Sequence, residues 1–112
     1  MTREELLKNI KTRLEQIYGD RLRGVVLYGS EARGEAREDS DLDFMVLLEG
    51  PVDYGRESWA IIETLYPLQL EIVGTPEDPH DRLIHAIPVD AAVFEDQDYF
   101  IYQNAKQEGV WI

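Results

Sequence analysis

Cysteine is absent from the 112 residues, which excludes disulfides, thiolate metal sites and a cysteine nucleophile together; a reducing cytoplasm is the simplest compartment for such a chain. Long apolar runs are missing too. No stretch approaches the roughly 20 residues that a membrane helix needs, and the opening Met1-Thr2-Arg3-Glu4-Glu5 is too polar and acidic for a signal peptide, so a soluble cytoplasmic protein without membrane attachment is expected. Basic residues are scarce, 11 against 23 acidic ones, for a formal net charge of -12. Affinity for a phosphate backbone rests on clustered Lys and Arg, so unaided nucleic-acid binding is not expected; a divalent cation or a basic protein partner suits this charge better. The length fits a single domain over 1–112, with no room for a separate substrate-binding domain.

What is present reads as alternating helices and strands. Thr2 and Glu5 form a capping box, and Leu6, Leu7, Ile10, Leu14 and Ile17 recur at helical spacing, predicting an amphipathic helix from about Arg3 to Tyr18 that Gly19 ends. Lys8, Lys11, Arg13, Arg21 and Arg23 read as a solvated basic face. Leu22 to Tyr28, with Val25-Val26-Leu27 at its centre, fits a strand covered on both faces. A second strand runs from Asp41 to Leu48. Arg56 to Tyr66 resumes helical spacing and Pro67 is expected to stop it, after which Leu68, Leu70 and Ile72 alternate with Gln69, Glu71 and Val73 as a third strand. Gly74 to Asp81 reads as a loop. Leu83 to Val89 reads as a further strand that Pro88 confines to an edge or ends. Asp96 or Asp98 is expected to cap a last helix through about Gln107, closed by Gly109 and the apolar tail Val110-Trp111-Ile112. The fold class is α/β (α+β): a small mixed β-sheet flanked by helices.

The chemistry concentrates between Leu27 and Leu48. Side chains at i and i+2 of a strand project from one face, roughly 6.5 to 7 Å apart, so Asp41 and Asp43 point the same way while Leu42 and Phe44 enter the core. Two carboxylates so placed repel unless a cation lies between them. Mg²⁺ is the natural occupant, since it takes oxygen ligands and is held by one or two carboxylates with water and substrate phosphate. Gly29 lets backbone approach a ligand without a Cβ, and Ser30 adds a hydroxyl donor at a turn suited to phosphate. Arg33 reaches either a phosphate oxygen or a nearby acid. His80 and His85 read as ordinary surface or core residues, and Tyr99, Phe100, Tyr102 and Trp111 as packing.

Gly29-Ser30, ten intervening residues and Asp41-x-Asp43, with Ala32-Arg33-Gly34 and Ser40 inside, resemble the signature of the nucleotidyltransferase superfamily typified by DNA polymerase β, and specifically its minimal nucleotidyltransferase branch. The resemblance extends to the leading helix, the one-domain length and the closing Glu108-Gly109-Val110. It implies a nucleotidyltransferase fold and Mg²⁺-dependent transfer of AMP from ATP, with Asp41 and Asp43 as metal ligands and catalytic carboxylates and with Gly29, Ser30 and Arg33 on the nucleotide. A third family carboxylate, on the neighbouring strand, helps activate the acceptor. Glu71 is its best candidate by strand alternation, Asp81 the rival, and Asp90 a more distant choice. The resemblance also implies a partner, a HEPN-domain toxin modified on a tyrosine, with this chain as antitoxin. The alternative is a catalytically idle module of the same fold that neutralises its partner by contact.

Overall fold

Helix α1 (Arg3–Tyr18) starts where the Thr2 hydroxyl accepts the Glu5 N–H at 3.1 Å, and it ends at Gly19, whose φ of 54° favours glycine. Its apolar stripe buries Leu6, Leu7, Ile10 and Leu14, whereas Ile17 is exposed. This computed structural model describes residues 2–29, 41–72 and 83–112. A 3-10 turn, Gly19–Arg21, leads into strand β1 (Leu22–Tyr28), in which Val25, Val26 and Leu27 are all fully buried, as a strand covered on both faces requires. Strand β2 (Leu42–Leu48) runs antiparallel to β1, pairing Tyr28 with Asp43 at one end and Leu22 with Leu48 at the other.

The third strand expected over Leu68–Val73 is corrected. Tyr54–Ile72 is one helix, α2, and it passes through Pro67. Ile61, Leu65, Leu68 and Ile72 fall at helical spacing and are buried on it, while Leu70 is exposed. The physical reason lies in magnitudes: a helix-interior proline costs about 3 kcal/mol, whereas each buried aliphatic side chain such as Leu68 or Ile72 contributes about 1.5–3 kcal/mol. Arg21, expected among solvated charges, instead anchors this helix. It ion-pairs with the buried Glu57 at 3.0 Å and donates to the Glu49 and Pro51 carbonyls at 3.0 and 2.9 Å, and the Glu57 carboxylate holds the guanidinium firmly charged.

Strand β3 (Ile84–Asp90) lies parallel to β2, and strand β4 (Val110–Trp111) lies antiparallel to β1, giving a mixed sheet in the order β3-β2-β1-β4. Pro88 therefore stands on an edge strand of the described sheet, as proline requires. The last helix is present and ends one residue after the expected Gln107, and a further short helix precedes it. Asp90 caps α3 (Ala91–Asp96), its Oδ1 accepting from Ala92 and Val93 N–H, and α4 (Phe100–Glu108) starts after Tyr99, so neither Asp96 nor Asp98 caps it. Gly109 closes α4, its N–H donating to the Ala105 carbonyl.

Alternation along the strands divides the core in two. Val25, Leu27, Leu42, Phe44, Val46 and Leu48 face α1 and α2, while Val26, Met45, Leu47 and Val89 face Phe94 of α3 and Ala105 of α4.

Candidate active site

Because β2 runs antiparallel to β1 and parallel to β3, the end of β1 and the starts of β2 and β3 meet at one end of the sheet. The register places Tyr28, Asp43 and His85 side by side across three strands, and paired residues of neighbouring strands share a face. That face is the one carrying Met45 and Leu47. The Asp43 side chain is 29% exposed and that of His85 61%. Their contact is direct, His85 Nδ1 to Asp43 Oδ1 at 3.2 Å. Burial, and then the negative charge of Asp43, pushes the Tyr28 phenol above its ordinary value.

Gly29 follows Tyr28 with φ of 79°, and a Cβ built there would lie 2.9 Å from the second Asp43 oxygen, Oδ2. A side chain at this position would therefore be strained twice, by the backbone and by the carboxylate. The Gly29 turn and Asp43 thus touch. Asp41 stands one residue before β2 and is exposed, and the next residue, Leu42, points into the α1/α2 layer with its N–H donating to the Leu83 carbonyl at 2.9 Å.

The other expected residues fall elsewhere. Glu71 is exposed on the last turn of α2, a helix that packs against the Phe44 face, opposite to Asp43; the strand alternation that pointed it toward the acids does not exist. Asp90 is the cap of α3, at the far end of β3. Ser30, Arg33 and Asp81 lie outside the described residues, as does His80. On the strand beside Asp43 the structure places His85, a residue the sequence reading set aside. Only the parallel register of β3 on β2, across 42 positions of sequence, brings it there, so no local pattern announces it.

Among the described residues no three His, Cys, Asp or Glu side chains gather at one point. The carboxylate at the sheet end nevertheless suits a divalent cation that takes its other ligands from water and a substrate's phosphate, with the hydrogen-bonded imidazole orienting the acid.

The model of the nucleotidyltransferase domain family matches residues 7–112. The chain belongs to that family. Two similar proteins from Methanocaldococcus jannaschii carry related names. This nucleotidyltransferase is 34% identical over 73 residues to "Putative protein adenylyltransferase MJ0141", covering 64% of this chain and 74% of that one. To "Putative protein adenylyltransferase MJ0604" it is 37% identical over 54 residues, 48% of this chain and about half, 52%, of that relative. Among solved structures, a toxin-antitoxin with AMP-PNP shares the fold with a TM-score of 0.60 at 17% identity, over 93% of this chain and 70% of that one. A mutant of the toxin-antitoxin MntA-HpeT gives 0.57 at 15% identity, over all of this chain and 72% of that one. These structural likenesses are of fold. The helix-flanked mixed sheet expected from the sequence is the nucleotidyltransferase fold observed.

Proposed function

We propose that this nucleotidyltransferase moves AMP from ATP to a hydroxyl on a partner protein, a tyrosine of a HEPN-domain toxin, and acts as the antitoxin of that pair in the cytoplasm. The observation that carries the reading is the closeness of Asp43 to Gly29, where only a residue without a Cβ fits beside the carboxylate, which brings an acid able to engage a cation next to backbone suited to phosphate. The names of the two relatives and the toxin-antitoxin fold neighbours, one with AMP-PNP, support it. So does the outer side of α2, where Trp59, Ile62, Tyr66 and Leu70 are each more than half exposed; apolar surface of this kind marks protein contacts. No helix among the described residues is long and apolar enough to cross a membrane.

In the reaction the acceptor hydroxyl oxygen bonds to the α-phosphorus of ATP, the bond from that phosphorus to the β-bridging oxygen breaks, and pyrophosphate leaves while the acceptor proton passes to water. Asp43, with Asp41 two residues before it, would hold the divalent cation, Mg²⁺ by the resemblance, and Gly29 would let the triphosphate approach the backbone. A cation held there would neutralise charge on the phosphate oxygens. Asp43 is oriented by its hydrogen bond with His85 before substrate arrives, which is the preorganisation such chemistry uses.

A second reading, the idle binding module, is favoured by one observation: the residue beside Asp43 on the neighbouring strand is a histidine and not a third carboxylate. Incubation with labelled ATP, a divalent cation and the product of the adjacent gene separates the two. Label transfer that disappears in Asp43→Asn supports the enzyme. Neutralisation of the partner that survives Asp41→Asn and Asp43→Asn, with no transfer by the unaltered protein, supports the module.

A further inference from the structure

We infer that the outer side of α2, together with the trough between it and the edge strand β3, seats an amphipathic helix with basic flanks that a partner protein presents. The inference rests on reading this chain as one that acts on a partner protein, and it names where that partner attaches and by what chemistry.

Trp59, Ile62, Tyr66 and Leu70 follow one another at spacings of three, four and four residues, and each is more than half exposed. Side chains so spaced form one ridge along a helix, here three turns, or about 16 Å at 1.5 Å per residue. Ridges of this period pack into the grooves of another helix. The opposite side of α2, with Ile61, Leu65, Leu68 and Ile72, already seats it on the sheet, so the exposed ridge adds nothing to this domain's own core.

Beside the ridge lies a trough of about 90 Å³, lined by Ile62, Leu65, Tyr66 and Gln69 of α2 and by Ile84 and Ala86 of β3. It has room for one aliphatic side chain. Among the described residues the helical layer on this face of the sheet ends at α2, because α1 packs over β1 and α2 over the edge strand β3. A docked helix extends that layer by one member.

Charge selects the occupant. Glu63 and Glu71, which follow Ile62 and Leu70, are exposed and carry no ion pair among the described residues. The one base of α2, Arg56, precedes the ridge. A second copy of this chain would bring the same acids together in a protein of net charge -12, and like charges across an interface cost affinity. A partner helix with Lys or Arg beside its apolar stripe meets them with opposite sign.

The test uses the whole chain with Trp111→Phe, which leaves Trp59 as the one tryptophan of the two. Two synthetic peptides of about four helical turns serve as probes, alike in a leucine stripe and differing in Lys or Glu flanks. The Lys-flanked peptide is expected to shift Trp59 emission to the blue, and the Glu-flanked one to bind about tenfold more weakly. Tyr66→Glu is expected to abolish the shift, Glu63→Lys to narrow the difference between the peptides, and Phe100→Glu, exposed on the other face of the sheet, to change neither. No shift with the Lys-flanked peptide, equal affinity for both peptides, a shift that survives Tyr66→Glu, or a dimer of this chain that Tyr66→Glu dissolves would each overturn the inference. With the product of the adjacent gene, amide exchange is expected to slow across residues 59–70. AMP transfer to that product without slowing on α2 sinks this inference and leaves the proposed function standing. Slowing on α2 without transfer does the reverse.

Discussion

The two faces of the sheet are covered to different extents. Toward α1 and α2, every inward residue of β2 from Leu42 to Leu48 is buried. Toward α3 and α4, burial begins only at Met45, and the preceding residue on that face, Asp43, keeps contact with solvent. Complete cover makes a core; cover that stops one residue pair short leaves the strand ends of Tyr28, Asp43 and His85 open to a ligand. One strand thus gives a fully covered face to the core and, at the start of its other face, an acid open to a ligand.

The comparison can be broken most sharply in the core. Phe44→Ala is expected to cost about 3–5 kcal/mol and Met45→Ala about 2–5 kcal/mol, with the greater loss at Phe44. Urea denaturation of the two variants measures this, and a loss at Met45 equal to or above that at Phe44 would make the thinner face an equal contributor. At the open end, Gly29→Val forces a β-branched residue to a φ of 79° against Asp43. It is expected to cost about 1–3 kcal/mol of stability and to weaken ATP binding; calorimetric affinity equal to that of the unaltered protein removes Gly29 from the site. On the covering layer of the first face, Pro67→Ala restores a donor inside α2 and is expected to raise stability by about 2 kcal/mol, the helix gain less the extra freedom of the unfolded chain. An unchanged urea midpoint would contradict a continuous helix there. On the second face, Asp90→Ala removes the α3 cap and is expected to cost about 1 kcal/mol, readable as a small fall in melting temperature with AMP transfer unchanged.

Legibility followed the range of the interactions. α1 was readable from Thr2, the apolar stripe and Gly19, and β1 from its unbroken apolar run, because those signals are local. β2 was readable for the same reason, though it starts at Leu42, one residue after the expected Asp41, and the segment joining it to Gly29 lies outside the described residues. Pro67 misled because Leu68, Leu70 and Ile72 satisfy a two-residue period over a short stretch, while Ile61, Leu65, Leu68 and Ile72 satisfy a helical one over a longer stretch. Burial against the sheet decided for the second. The error then carried Glu71 into the site on the strength of a strand that is a helix. His85 was passed over because its meaning depends on which strand lies beside β2, a tertiary fact that residue spacing does not encode. The fold class survived the loss of a strand because the sheet remained mixed and the helices still covered it.

The two borders of the described sheet have a consequence for how a partner can attach. β3 carries Pro88, which interrupts the row of backbone donors along its edge, and β4 is two residues long, with Trp111 folded back over Gly24. Prolines and very short strands are the means by which sheets resist the addition of a foreign strand. Recognition by main-chain ladder extension is thereby disfavoured on both sides. An associating protein must read side chains, on the outer surface of α2 or at the open strand ends, and such an interface gains its selectivity from shape and charge, with no shared backbone pairing.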